Sequence, residues 1–226
     1  GYSKATLKHY LAHNRRFLSF CKKQPEEVLE SDVKQYTAHL LADLNQKPAS
    51  VHLALSSLKF FYDDLMKKHL FANIKPPKLE RKIPTVLNKE EIGRLLAACN
   101  TVKHKLMLML MYSSGLRVSE VVKMKVNDLD LSERMGRVIS GKGKKDRHII
   151  LSTSFVPEIQ AYLATRKMDS EYLFPAPSGE KPLTERMVQK VVVEAAKRAC
   201  ILKRVFCHAL RSSFATHLLE QGRDIR

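Results

Sequence analysis

The chain has 226 residues, with 40 Lys+Arg against 23 Asp+Glu and a formal net charge of +17. Hydrophobic residues at 44% exclude a disordered basic tail, and eight glycines and nine prolines exclude collagen-like and low-complexity classes. The longest apolar run, Leu106–Tyr112, falls well short of the roughly 20 residues a membrane span needs, and Gly1–Lys22 mixes charge with apolar residues instead of forming a leader. What remains is a basic globular protein of one large or two small domains, with nucleic acid as the leading partner on charge. Four scattered cysteines (Cys21, Cys99, Cys200, Cys207) lack zinc spacing and suit reduced thiols in a cytoplasm.

The first 73 residues read as a small helical bundle. Ser3 can cap a helix with Leu7, Tyr10, Leu11, Phe17, Leu18 and Cys21 on its apolar stripe, and Pro25 stops it. Ser31 can cap a second helix through Val33, Tyr36, Leu40, Leu41 and Leu44. A third runs roughly from Ala49 to Lys68, with Val51, Leu55, Leu58, Phe61, Tyr62 and Leu65 inward. Residues 74–84 hold three prolines and little periodicity, the pattern of an extended linker.

Residues 85–226 form a second domain. Asn88-Lys-Glu-Glu91 is a capping box opening a helix to about Cys99, and a helix over about 103–113 ends at Gly115. Met135–Ser140 and His148–Leu151 are short β-rich runs separated by Gly141-Lys-Gly-Lys-Lys-Asp-Arg147, a hairpin pattern. Helices resume near Phe155–Arg166, Glu185–Ala199 and Cys207–Glu220. The fold class is mainly α, a helical bundle followed by a mixed domain with a small antiparallel sheet.

Three motifs carry chemistry. His208-Ala-Leu-Arg211 puts an imidazole and a guanidinium on one helix face near its positive end, where anions bind. The planar fork of Arg suits two phosphate oxygens, and His can move a proton near neutral pH. Gly115-Leu-Arg-Val-Ser-Glu120 joins two helices through a glycine turn holding Arg117, which Glu120 can brace. Lys142 sits between two glycines at the hairpin tip, a mobile charge able to donate a proton. Each motif alone also has an ordinary structural reading: two polar residues on a helix surface, a braced turn, and a solvated hairpin tip.

Together, in this order and spacing, they resemble the tyrosine recombinase (integrase) family, most closely its compact Xer-type members. The resemblance covers nearly the whole chain. It rests on Thr6-x-x-x-Tyr10 with Phe17 and Phe20, Leu58-Lys-Phe-Phe-Tyr62, Asn73-Ile-Lys-Pro76, Tyr112–Glu120, Gly141–Arg147 and His208–Glu220. It implies a SAM-like core-binding domain followed by a catalytic domain, the two clamping a duplex. It also implies that Arg117, Lys142, His208 and Arg211 are catalytic, with Glu120 in support. Lys144, Lys145 and Arg147, in the basic run Arg134–Arg147, are expected on charge to contact DNA phosphates. Ser212 stands where the family often has His, a position with no acting group.

The implied reaction is phosphoryl transfer. A tyrosine attacks a DNA phosphodiester to give a 3′-phosphotyrosyl link and a free 5′-hydroxyl, and a 5′-hydroxyl of another strand reverses the step. No ATP, metal or small-molecule cofactor is expected. The expected partners are double-stranded DNA and further copies of the chain, from homodimer to homotetramer on DNA, with no membrane. All seven tyrosines precede His208. The family's nucleophile follows that box, so it is expected outside residues 1–226, leaving this chain inactive alone. A non-catalytic DNA-binding protein and a type IB topoisomerase-like strand transferase remain alternatives, as do chromosome dimer resolution (chromosome partition in the cell cycle), plasmid resolution and mobile-element integration as tasks.

Overall fold

The computed structural model describes residues 2, 4–80, 83–139, 146–166 and 168–222. It divides into two compact units, Gly1–Lys82 and Ile83–Arg226. Among the described residues it is mainly helical with one small antiparallel sheet. No described helix is long and apolar enough to cross a membrane.

The first unit packs α1 (Lys4–Cys21), α2 (Glu30–Ala38) and α3 (Pro48–Lys59) around Phe17, Val33, Tyr36, Leu40, Val51, Leu55, Leu58 and Tyr62. Leu7 and Leu11 are exposed, so the buried part of α1 begins further along, at Asn14 and Phe17. The Asn14 amide donates to the Ser57 carbonyl on α3 at 3.2 Å. The Ser3 cap lies outside the described residues. Ser31 is not a cap: α2 begins one residue earlier. Asp32 accepts the Leu29 N–H at 2.8 Å and pairs with Lys23, which leaves Ser31 inside the first turn. Helices α2 and α3 both end in wider π-helical turns, His39–Asp43 and Phe60–Leu65. The second of these adds residues per turn and rotates Leu65, expected inward, out to 60% exposure. Met66 packs on the core in its place.

The second unit is built on α5 (Val102–Ser113). Residues Leu106 to Met111 of this helix are all buried, so it is apolar around its whole circumference. Around it pack α4 (Lys89–Ala97), α6 (Val118–Lys123), α7 (Phe155–Thr165), α8 (Glu185–Arg198) and α9 (Cys207–Glu220). The capping box forms as expected: Asn88 Oδ1 accepts the Glu91 N–H at 2.7 Å and Glu91 Oε2 accepts the Asn88 N–H at 2.8 Å. The sheet holds β1 (Leu129–Asp130), β2 (Met135–Val138) and β3 (Arg147–Ile150) in that order. Strand β1 carries no two-residue alternation long enough to read from sequence. In the register, Gly136 faces Ile149 and Val138 faces Arg147. The described part of the hairpin therefore closes on Arg147, and residues 140–145 lie outside it.

Candidate active site

Helix α5 ends on a left-handed glycine. Gly115 has φ +58, and a Cβ there would run into the Phe214 ring of α9. Glycine thus permits both the turn and the close approach of α9. The chain then re-enters a helix with Arg117 as the residue before α6, in extended backbone conformation. Glu120, in the first turn of α6, accepts the Arg117 backbone N–H at 2.8 Å and the Arg117 Nη1 at 2.9 Å. Helix α6 starts at Val118 because Glu120 reaches back as an N3 carboxylate.

The same carboxylate takes a second guanidinium. Arg147, at the start of β3, donates Nη1 to Oε1 at 2.9 Å and Nη2 to Oε2 at 2.6 Å. Glu120 is only 8% exposed. Burial alone would push its carboxyl up, but the hydrogen bonds from Arg147 and Arg117 outweigh that and hold it at about 2.

Arg211 comes from α9, half-buried, and its Nη1 donates to the Gly115 carbonyl oxygen. Its pKa is lowered, first by burial and then by the charges of Arg117 and Arg147, with Glu120 opposing. Three guanidiniums therefore surround one carboxylate, an arrangement with a surplus of positive charge. Ser114, Gly115, Arg147, Arg211, Phe214, Ala215 and Leu218 line a cavity of about 250 Å³ beside it.

His208 is the second residue of α9 and is exposed, one turn before Arg211 on the same face. Among the described residues no side chain caps the start of α9, and the Ala209 N–H donates to the Phe206 carbonyl at 2.9 Å. The helix is held from behind. The Leu87 N–H donates to Ser213 Oγ at 2.8 Å, and Ser213 Oγ donates to the Ala209 carbonyl at 2.8 Å. Near its end, His217 Nδ1 and the Tyr112 hydroxyl of α5 lie 2.8 Å apart.

The structure thus brings together Arg117, Glu120 and Arg211, with His208 on the same helix face as Arg211. Arg147, expected as a DNA phosphate contact, has both terminal nitrogens on Glu120. Lys142, Lys144 and Lys145 lie outside the described residues. The Tyr112–His217 pair and the Ser213 brace were not foreseen. Tyr112 closes the apolar run Leu106–Tyr112, and nothing in that run announces a partner 105 positions away.

Known proteins place this arrangement in a family. Residues 85–226 match the phage integrase family, and residues 1–71 match the N-terminal SAM-like domain of phage integrases. The chain is 33% identical over 235 residues to tyrosine recombinase XerA of Thermococcus kodakarensis, covering 100% of this chain and 79% of that protein. It is 32% identical over 228 residues to the putative integrase/recombinase y4qK of Sinorhizobium fredii, covering 100% and 74%. The crystal structure of XerA recombinase superposes with a TM-score of 0.59 at 31% identity, over 100% of this chain and 81% of that one. A lambda integrase dimer bound to a COC′ core site shares the fold at a TM-score of 0.76 and 18% identity, over 98% and 85%. The chain belongs to the phage integrase family. It is an Xer-like tyrosine recombinase, an enzyme of site-specific DNA recombination.

Proposed function

We propose that the cluster formed by Arg117, Arg211 and His208 binds the scissile phosphate of duplex DNA and stabilises its transfer to and from a tyrosine. The convergence of Arg117 and Arg211 on the Gly115 turn carries this reading. Two guanidiniums from different helices can hold the two nonbridging oxygens and balance the charge that develops on them. Glu120 keeps Arg117 in place. His208 hydrogen-bonds the phosphate and assists proton transfer. Lys142 protonates the departing 5′-oxygen. The phenol oxygen forms the new P–O bond as the P–O5′ bond breaks, leaving a 3′-phosphotyrosyl link and a 5′-hydroxyl. The returning hydroxyl reverses this, so the bond count balances without an external energy source. No tyrosine follows Arg211 in this sequence, and we assign the attacking phenol to a tyrosine outside residues 1–226.

The working assembly is a dimer to tetramer on DNA, in keeping with lambda integrase structures of a dimer on a core site and a tetramer on a Holliday junction. The two domains are a core-binding domain over 1–73 and a catalytic domain over 85–226, joined by 74–84. Lys144 and Lys145 contact phosphates outside the catalytic set. The reaction belongs in the cytoplasm, where the free Cys21, Cys99, Cys200 and Cys207 stay reduced. Chromosome partition is the task that the Xer-type likeness favours.

The test combines binding and chemistry. Duplex affinity is expected to fall by about 10³–10⁵ between about 50 and 200 mM salt, for roughly 6–10 phosphate contacts. In protein from the complete reading frame, Arg211→Ala should keep duplex affinity within about 1–2 kcal/mol and lose the covalent adduct. A flat salt titration overturns DNA binding. An adduct formed at the normal rate by Arg211→Ala overturns the site.

A further inference from the structure

We infer that Arg147 is a positioning residue for strand transfer: through the Glu120 carboxylate it fixes the orientation of the Arg117 guanidinium. The inference rests on Arg117 being a phosphate-binding arginine.

The geometry is that of a filled carboxylate. An ionised carboxylate offers about four in-plane acceptor sites. In Glu120 each oxygen accepts one bond from Arg117 and one from Arg147: Oε1 from Nη1 of both, Oε2 from the Arg117 backbone N–H and from Arg147 Nη2. The carboxylate cannot turn about its axis without breaking two of these bonds. Without Arg147, only Arg117 would hold it, and the two could swing as one unit on a short helix end. Both terminal nitrogens of Arg147 donate to Glu120, which commits the fork to the carboxylate.

The anchor is rigid. Arg147 pairs with Val138 across the strands, and Val138 and Ile149 are both buried in the unit's core. The Ser114 hydroxyl donates to the Ile150 carbonyl at 2.8 Å, so β3 is also fastened to the end of α5, next to Gly115. Arg147 and Arg211 line the same cavity. Strand β3 therefore sets where the Glu120 carboxylate lies, and Glu120 sets where Arg117 points.

Among the described residues, the charged groups facing Glu120 are Arg117 from its own helix, Arg147 from β3 and Arg211 from α9. Removing Arg147 takes away the strongest force holding the carboxyl down and leaves burial opposed by fewer partners. The Glu120 carboxyl then rises, and protonation disconnects Arg117 at a higher pH.

The experiment uses protein from the complete reading frame and a duplex nicked beside the scissile phosphate. Rates of covalent adduct formation are measured at saturating DNA across acid to neutral pH. Arg147→Ala should slow the adduct by about 10²-fold, the scale of a small misplacement of a reacting group. Its Kd for duplex should change by less than about threefold. The acid limb of its pH–rate profile should move upward, and free guanidinium should restore part of the rate. Arg147→Lys, with one ammonium that cannot span both oxygens, should show the same upward shift. If Arg147→Ala does not fold, the Arg147→Lys profile decides. Loss confined to Kd, with the rate at saturation unchanged, overturns the proposal in favour of a phosphate contact. An unmoved acid limb in the folded variant also overturns it. If the unsubstituted protein forms no adduct, the strand-transfer reading fails, and the positioning role fails with it.

Discussion

Arg211 of α9 donates its guanidinium to the carbonyl oxygen of Gly115, so one arginine of the site is fastened to the turn that presents the other. The bond spans 96 positions of sequence and uses a backbone acceptor, which no substitution at Gly115 removes directly. The position of that acceptor does depend on the glycine. Its φ of +58 and the Phe214 ring against it leave no room for a Cβ.

Gly115→Ala should therefore cost roughly 1–2 kcal/mol for the left-handed backbone alone. Displacing Phe214 adds to that. Urea denaturation should show the loss, and adduct formation should fall by more than stability requires, because the carbonyl that holds Arg211 moves. A variant of unchanged stability and rate would mean that the turn does not set the site.

Glu120 makes stability depend on acid. Its carboxyl titrates near 2 in the folded protein against an ordinary 4.5. A depressed folded value means that the unfolded chain binds the proton first as pH falls. The stabilisation is complete above about pH 5 and is lost progressively toward pH 2. Glu120→Gln lacks this titration. The stability gap between the two proteins should narrow by about 2 kcal/mol between roughly pH 5 and pH 3. A gap that stays constant over that range would show that the carboxylate is not held by its arginines.

Much of this was legible in the sequence because it is local. The Asn88–Glu91 box, the arginine turn after α5 and the H-x-x-R face each lie within six residues and follow helix geometry. What was not legible is non-local or depends on helix winding. Arg147 meets Glu120 across 27 positions, and only the sheet register brings it there. Its charge pointed to phosphate, and its carboxylate partner was invisible. Leu65 fits the 3.6 period, but the π-helical turn over Phe60–Leu65 changes that period. Ser31 has the chemistry of a cap, yet Asp32, one residue on, binds the free N–H at Leu29.

The first unit offers a test of core polarity. Tyr62 is 0% exposed, and among the described residues its hydroxyl has no hydrogen-bond partner. Its ring packs edge-on to Phe17 and Phe61. A buried hydroxyl without a partner costs about 1–3 kcal/mol. Tyr62→Phe removes that oxygen and keeps the ring, so unfolding should become harder by about 1 kcal/mol in urea. A destabilised variant would reveal a partner for the hydroxyl.

Residues 1–226 expressed alone should bind duplex DNA and form no phosphotyrosyl adduct. In-line attack needs a nucleophile within about 3–3.5 Å of phosphorus. The unit that holds the arginines contains Tyr112, Tyr162 and Tyr172. Tyr112 lies closest in sequence to the Gly115 turn, but its hydroxyl faces His217 Nδ1 at 2.8 Å, and burial pushes its phenol up, away from the reactive phenolate. Tyr162 packs on Phe174, and burial raises its phenol as well. Tyr172 lies under the Lys125 ammonium, 6.0 Å from the ring centre, beside the Lys125–Glu171 pair. In the first unit Tyr36 and Tyr62 are buried, and Tyr2 and Tyr10 pack with Phe60. The measurement is a nicked suicide duplex incubated with residues 1–226 and with protein from the complete reading frame, both run on a denaturing gel. The expected result is a shifted covalent band only in the second lane. A band from residues 1–226, traced by peptide mapping to any of the seven tyrosines, would move the nucleophile inside this chain and overturn the placement of the site.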